Sequence, residues 1–280
     1  MADMREPPLR HALFGEFLGT ALLVLLGDGV VASVVLLDKK ADWIVITTGW
    51  AFAVALGIYV SGRLGGGHLN PAVTLALATR GAFPSARVAP YWAAQVAGAF
   101  VAALILYVDY AEAFHEFERD NGIVQRGSMS GGELPGPAAS GAGVFATYPM
   151  YRNQARNFFS EFLGTAVLLL GVRALTDPRN TAPGRALAPL LMGLVVWSVG
   201  LSLGGLTGYA INPARDFGPR LASSLLGWGS SVFRSHGWYF WVPIVGPLCG
   251  GAVGAWIYDV GISRLLPPAD EPAPPGRSSP

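Results

Sequence analysis

Two short segments of this 280-residue chain combine an asparagine, a proline and glycine-rich flanks within otherwise apolar sequence. The first ends in Asn70-Pro71-Ala72 and the second in Asn212-Pro213-Ala214, 142 residues later. Asn is a favoured helix N-cap and Pro a favoured first helical residue, so each segment reads as the start of a helix. A capping Asn turns its side-chain oxygen back onto backbone N–H groups and leaves its NH₂ to donate outward. Two such donors, backed by the positive ends of two helix dipoles, would meet a passing hydroxyl oxygen and repel a cation. An oxygen that accepts from both cannot accept from the next water, which interrupts a proton wire. The glycine-rich chain before each asparagine offers backbone carbonyls at Gly66, Gly67 and His68, and at Gly208, Tyr209 and Ala210, as a ladder of acceptors. Irregular backbone of this kind is tolerated in an apolar medium only where it lines a cavity or is buried in protein.

Three ionisable residues accompany these segments. Arg215 directly follows the second Asn-Pro-Ala, and a cation at that depth is costly and functional by default. Glu16 and Glu161 each open an apolar run. Each is expected to accept hydrogen bonds from the irregular chain of its own half, as structural support. His68 is expected to pack and bond within the first loop. It has no second His or Cys at ligand spacing, so no metal site is expected.

The elements that must position these groups are membrane spans. The set AVILMFWYC makes up 52% of the chain and charged residues 13%, about half the usual charged share, with a mean hydropathy of +0.43. So few charges cannot cover a soluble surface of this size. A span needs about 20 apolar residues. Segments 43–62, 88–108, 186–214 and 235–258 satisfy this without a charge; 13–37 carries Glu16 and Asp28, and 158–175 carries Glu161 and Arg173. The expected fold is therefore an all-α membrane protein with six transmembrane helices and two re-entrant half-helices, 70–80 and 212–226. The first of these is about 15 Å long, half of the hydrocarbon thickness.

The two halves repeat. Glu16-Phe-Leu-Gly-Thr-Ala returns as Glu161-Phe-Leu-Gly-Thr-Ala after 145 residues, close to the 142 that separate the asparagines. A unit of three spans is odd, so its second copy sits inverted in the membrane. The organisation read from this is a cytoplasmic segment 1–10, a first repeat 11–110, a long extracytoplasmic loop 111–156, a second repeat 157–264, and a disordered Pro-rich tail 265–280. The N-terminus shows no cleavable-signal pattern and reads as leading into a retained first span. Arginines in the short loops favour cytoplasmic termini. The net charge of +1 without a basic block leaves nothing to hold nucleic acid. Cys249, the lone cysteine, reads as a buried, inert thiol.

From about Glu16 to Ile262 the sequence resembles the major intrinsic protein superfamily of aquaporins and glycerol facilitators. The resemblance implies that fold, four protomers with a pore in each, a plasma-membrane location, no cofactor and no enzymatic activity. It also implies a narrowest filter of Trp50, Gly200, Tyr209 and Arg215, where Gly200 leaves the room that water-specific members fill with histidine. Asp216 and Arg220 after the second Asn-Pro-Ala, Tyr110 at the end of the third span, and Pro243-Ile244 in the sixth resemble the glycerol-conducting branch. Asp216 is expected to pair with a backbone or basic partner and shape the second mouth. Glycerol facilitators also carry Phe where Tyr209 stands, while other members of the branch use Tyr. The permeants this implies are glycerol, small polyols and water, moving passively through a protein surrounded by lipid. A water-selective channel is the near alternative. An ion-coupled transporter is the remote one, with Asp28, Asp109 or Asp259 as coupling sites, none of which has a partner evident in the sequence.

Overall fold

The computed structural model describes residues 7–37, 42–128, 141–184 and 186–268. Helix α1 (Leu9–Ala32) runs on into a wider π turn at Ser33–Leu37, and α2 (Trp43–Gly65) ends on Gly66 in the left-handed conformation, φ 91°. The short α3 (Pro71–Thr79) follows, then α4 (Val88–Asp109) and the amphipathic α5 (Ala111–Asp120). The second half repeats the order with α6 (Gln154–Thr176), α7 (Ala188–Leu203), the short α8 (Pro213–Ser223), a distorted α9 (Ser231–Trp238) and α10 (Val242–Gly261). Six of these helices, extended by the turns that abut them, are long and apolar enough to cross a membrane.

The expected elements differ from the observed ones in several places. The span read as 235–258 is non-helical at Ser235, His236 and Gly237, and its long helix starts only at Val242. The half-helix read as 212–226 ends as an α-helix at Ser223 and widens into a π turn. The span read as 186–214 leaves the helix after Leu203, because Gly204–Leu206 tightens into a 3-10 turn and Thr207–Ile211 is irregular. Apolarity alone does not separate helix from the apolar chain that follows it. The long third loop, in turn, contains α5, which buries Phe114 and Phe117 and exposes its acidic face. Cys249 is exposed on the outer face of α10 and not buried, since an apolar neighbourhood in a membrane protein also includes surface meant for lipid. The tail 269–280, residues 1–6, 38–41 in the first loop, 129–140 in the third, and Arg185 lie outside the described residues.

The packing repeats with the sequence. α1 lies against α2 and α4, as α6 lies against α7 and α10, and α2 meets α7 where the halves join. The short helices cross over: α3 packs on α10 and α8 on α4. Glycines make the tightest seams. A Cβ at Gly98 of α4 would overlap the Phe17 carbonyl of α1, and one at Gly250 of α10 would overlap the Phe162 carbonyl of α6. Without side chains there, backbones approach closely enough to pack in a medium that gives little hydrophobic drive.

The apolar core is in two parts. One surrounds the short helices, with Leu23, Leu69, Val73, Leu169, Val199 and Ile211 among its buried members. The other roofs the end of the bundle far from the N-terminus, where Phe114 and Phe145 stack and Trp228 stands edge-on to both, with centroids 5.5–5.7 Å apart.

Candidate functional site

Asn70 and Asn212 cap α3 and α8 as their sequence context requires. The Asn70 side-chain oxygen accepts from Ala72 N–H at 2.8 Å, and that of Asn212 from Ala214 and Arg215 N–H at 3.0 and 3.3 Å. The two caps meet. Asn70 Nδ2 donates to the Ile211 carbonyl at 2.8 Å and Asn212 Nδ2 to the Leu69 carbonyl at 2.7 Å. The sequence leaves both amide hydrogens of each asparagine free to donate outward; one of each is spent joining the halves.

The chain before each cap is strained in matching places. Leu69 and Ile211 have φ of 51° and 42°, and Tyr209, at 38°, stands where the first half places Gly67, at 68°. Left-handed conformations are uncommon for non-glycine residues and persist where surroundings enforce them. The glutamates supply part of that enforcement. Glu16 accepts from His68 and Leu69 N–H at 2.9 and 2.7 Å and from Gln95 Nε2 at 2.7 Å. Glu161 accepts from Ala210 and Ile211 N–H at 3.0 and 2.9 Å. Both lie in their own halves, as expected. His68 stays within its loop, its Nδ1 3.1 Å from Thr74 Oγ1. The described residues contain no cluster of His, Cys, Asp or Glu able to hold a metal ion.

Two cavities run through this arrangement. One, of about 370 Å³, extends from Arg173 and Thr176 past both asparagines; the other, of about 500 Å³, opens near Tyr148, Met150 and His236. They share three lining residues, Trp50, Tyr209 and Arg215. Gly66, Gly67, His68 and Ala210 line the first cavity, Gly208 the second, and Tyr209 both. Apolar side chains of Leu23, Val54, Ile58, Leu168 and Val196 complete the first wall. At the junction the Arg215 guanidinium lies 4.2 Å from the Trp50 ring centroid, within cation–π range. Gly200 lines neither cavity. The Tyr209 ring occupies its space, and a Cβ at Gly200 would be 2.9 Å from that ring. Trp43 steadies both, its Nε1 donating to Gly200 O at 3.0 Å and its ring edge-on to Tyr209.

Asp216 has both kinds of partner expected of it. It accepts from Arg220 Nε at 2.8 Å, and from the backbone N–H and Oγ1 of Thr147 at 2.8 and 2.7 Å. Arg220 also donates to the carbonyls of Val232 and Thr147 and lies 4.8 Å from the Tyr148 ring centroid. The pair thus ties α8 to the loop that walls the second cavity. Tyr110, Pro243 and Ile244 line neither cavity. Tyr110 ends α4, with its hydroxyl 2.7 Å from Ser33 Oγ, and Pro243 starts α10. Two of the proposed coupling carboxylates have partners that sequence spacing could not reveal. Asp259 joins Arg80 and Arg173, both at 2.7 Å, and Asp28 lies 3.7 Å from Arg215. Trp43, Gln95 and Thr147 are supporting residues missed in the sequence, where Asp28 is read only as a remote coupling site. Only Asp28 carried a signal, as a charge inside an apolar run.

Six apolar spans enclosing two half-length helices, cap to cap beside a passage, define an inverted-repeat integral membrane protein. The chain matches the major intrinsic protein pattern over residues 3–258, and it belongs to that family. It is 49% identical to the "Probable glycerol uptake facilitator protein" of Thermotoga maritima, covering 87% of this chain and 96% of that one. It is 44% identical to "Glycerol uptake facilitator protein 3" of Lactiplantibacillus plantarum, covering 92% and 99%. Among solved structures it resembles the aquaglyceroporin from Plasmodium falciparum, with a TM-score of 0.80 and 32% identity over 92% of this chain and 98% of the other.

Proposed function

We propose that the protein is a passive channel for glycerol and other small uncharged solutes, passing some water and excluding ions and protons. It is not an enzyme in this reading. The observation that carries it is the junction of the two cavities at Trp50, Tyr209 and Arg215. That junction has an aromatic wall of Trp50 and Tyr209 and, packed on Trp50, a guanidinium with up to five N–H donors. A polyol presents carbon on one edge and hydroxyls on the other, and so fits both at once. Beyond the junction the same division continues, with apolar side chains facing a line of backbone carbonyls and the remaining amide hydrogens of Asn70 and Asn212. The names of the relatives support the solute class.

In this reading α3 and α8 enter from opposite faces and meet at the midplane. Both termini are cytoplasmic, residues 11–110 and 157–264 are the repeats, and the cavity near Arg173 is the inner one. Four chains assemble in the plasma membrane, each with its own pore. The test is light scattering from proteoliposomes. Rapid re-swelling in a glycerol gradient, unaffected by collapse of proton or sodium gradients, is the expected result. Shrinkage in an impermeant osmolyte without glycerol re-swelling would make it a water channel. Uptake that saturates and needs an ion gradient would make it a transporter.

A further inference from the structure

Asp28 lies in α1 outside both cavities, and the solute path proposed above makes no use of it. It is fully buried, and neither carboxylate oxygen has a hydrogen-bond partner among the described residues. Its neighbouring cation is Arg215, whose Nη1 lies 3.7 Å from Oδ1, is itself buried, and has no hydrogen bond among the described residues. The other carboxylate on that side, Asp216, is committed to Arg220 and Thr147. The residue before Asp28 touches the same site from behind: Gly27 supports Trp50, and a Cβ there would overlap its ring. One stretch of α1 therefore backs both the aromatic and the cationic side of the junction.

We infer that ionised Asp28 is a positioning and charge-compensating residue for Arg215, an inference that rests on the pore reading above. A guanidinium keeps its charge in a protein at any ordinary pH. A buried charge needs an opposite charge beside it, and among the described residues Asp28 is the carboxylate within 4 Å of Arg215. Asp28 draws Nη1 back from the passage, holds the guanidinium against Trp50, and offsets most of its charge. Arg215 then presents N–H donors to hydroxyl groups without attracting anions. The junction excludes ions of both signs because it is narrow and close to neutral.

The sign of the ion leak tests this. Wild type, Asp28→Asn, Arg215→Gln and the double variant are reconstituted, and permeability to formate is compared with permeability to methylammonium from reversal potentials. Water flux from the same vesicles verifies assembly. Asp28→Asn leaves an uncompensated cation and is expected to favour formate. Arg215→Gln leaves an uncompensated carboxylate and is expected to favour methylammonium. Each shift should be about tenfold, within the range that contacting pairs show in double-mutant cycles. The double variant should favour neither ion, and Asp28→Glu should keep the wild-type preference. Single-variant leaks of the same sign, or an unchanged ratio in Asp28→Asn, would show that Asp28 only fills space and would overturn the inference. Asp28→Ser, smaller than the native side chain, gives the same reading if Asp28→Asn does not assemble. Wild type that passes water but no glycerol overturns the proposed solute, whereas the signs of the two leaks decide on Asp28 in either case.

Discussion

At the scale of single residues, the asparagines of the proposed channel serve structure and transport together. Each uses its oxygen for its own helix and one amide hydrogen for the opposite half, and in the proposed channel the other is left for the solute. Asn70→Asp removes the donor that meets the Ile211 carbonyl and sets a carboxylate against it. The lost bond costs about 1 kcal/mol, while the added negative charge cancels the barrier supplied by the helix dipoles. The expected outcome is a sodium or potassium leak in reconstituted vesicles with glycerol flux largely retained; absence of a cation leak would move that barrier elsewhere. Gly200 makes a different point. The sequence reads it as room, and the structure places the Tyr209 ring in that room, with Trp43 behind it. Gly200→Ala would push the ring toward the passage, since the left-handed backbone at Tyr209 leaves little freedom to retreat. An overpacking cost of about 1–3 kcal/mol, expressed at the junction of the two cavities, corresponds to a roughly five- to 150-fold loss of glycerol flux. Water flux should fall less, and equal losses would count against a size-limited junction.

At the scale of elements, the sequence reads well wherever one helix explains itself. The caps at Asn70 and Asn212, the apolar length of the spans and the early glutamates are all local signals, and the two short helices start where the caps place them, among six spans of sufficient apolar length. Local signals fail where neighbours decide. α5 folds because Phe114 meets Phe145 and Trp228, distant in sequence, and Phe117 joins the same cluster, and the end of α7 is set by the chain that must turn toward Asn212. The seams between elements are equally non-local, and they are the least tolerant feature. At Gly98 the neighbour of an added Cβ is the Phe17 backbone carbonyl, which cannot rotate away. Gly98→Ala should therefore cost more than an ordinary overpacking change, at or above the upper end of about 1–3 kcal/mol, and lower the thermal midpoint in detergent. An exposed substitution such as Leu56→Ala is the control, and should leave the midpoint nearly unchanged.

At the scale of the whole molecule, the internal repeat made the architecture legible, because a duplicated three-span unit has one plausible way to sit in a bilayer. What the repeat conceals is where its halves diverge. Arg215 stands where the first half has Val73, and Asp28 where the second half has Arg173. The pairs Asp28–Arg215 and Thr147–Asp216 join segments well over a hundred and about seventy residues apart, beyond any spacing rule. The halves also interlock: α3 packs on α10, α8 on α4, and each asparagine donates to the other half's backbone. Neither half can complete its own passage, because the Trp50 wall belongs to the first and Tyr209 and Arg215 to the second. Cutting the chain between Leu134 and Pro135, in the glycine-rich segment outside the described residues, separates the two repeats. Either piece expressed alone leaves a short helix without its partner and buried polar backbone unsatisfied, so it should give no glycerol flux and should be degraded. The two pieces expressed together retain every one of these contacts and should restore flux, measured by glycerol-driven swelling of cells or vesicles. Flux from one piece alone would mean that the passage does not need both repeats, and failure of the pair would mean that the loop does more than connect them.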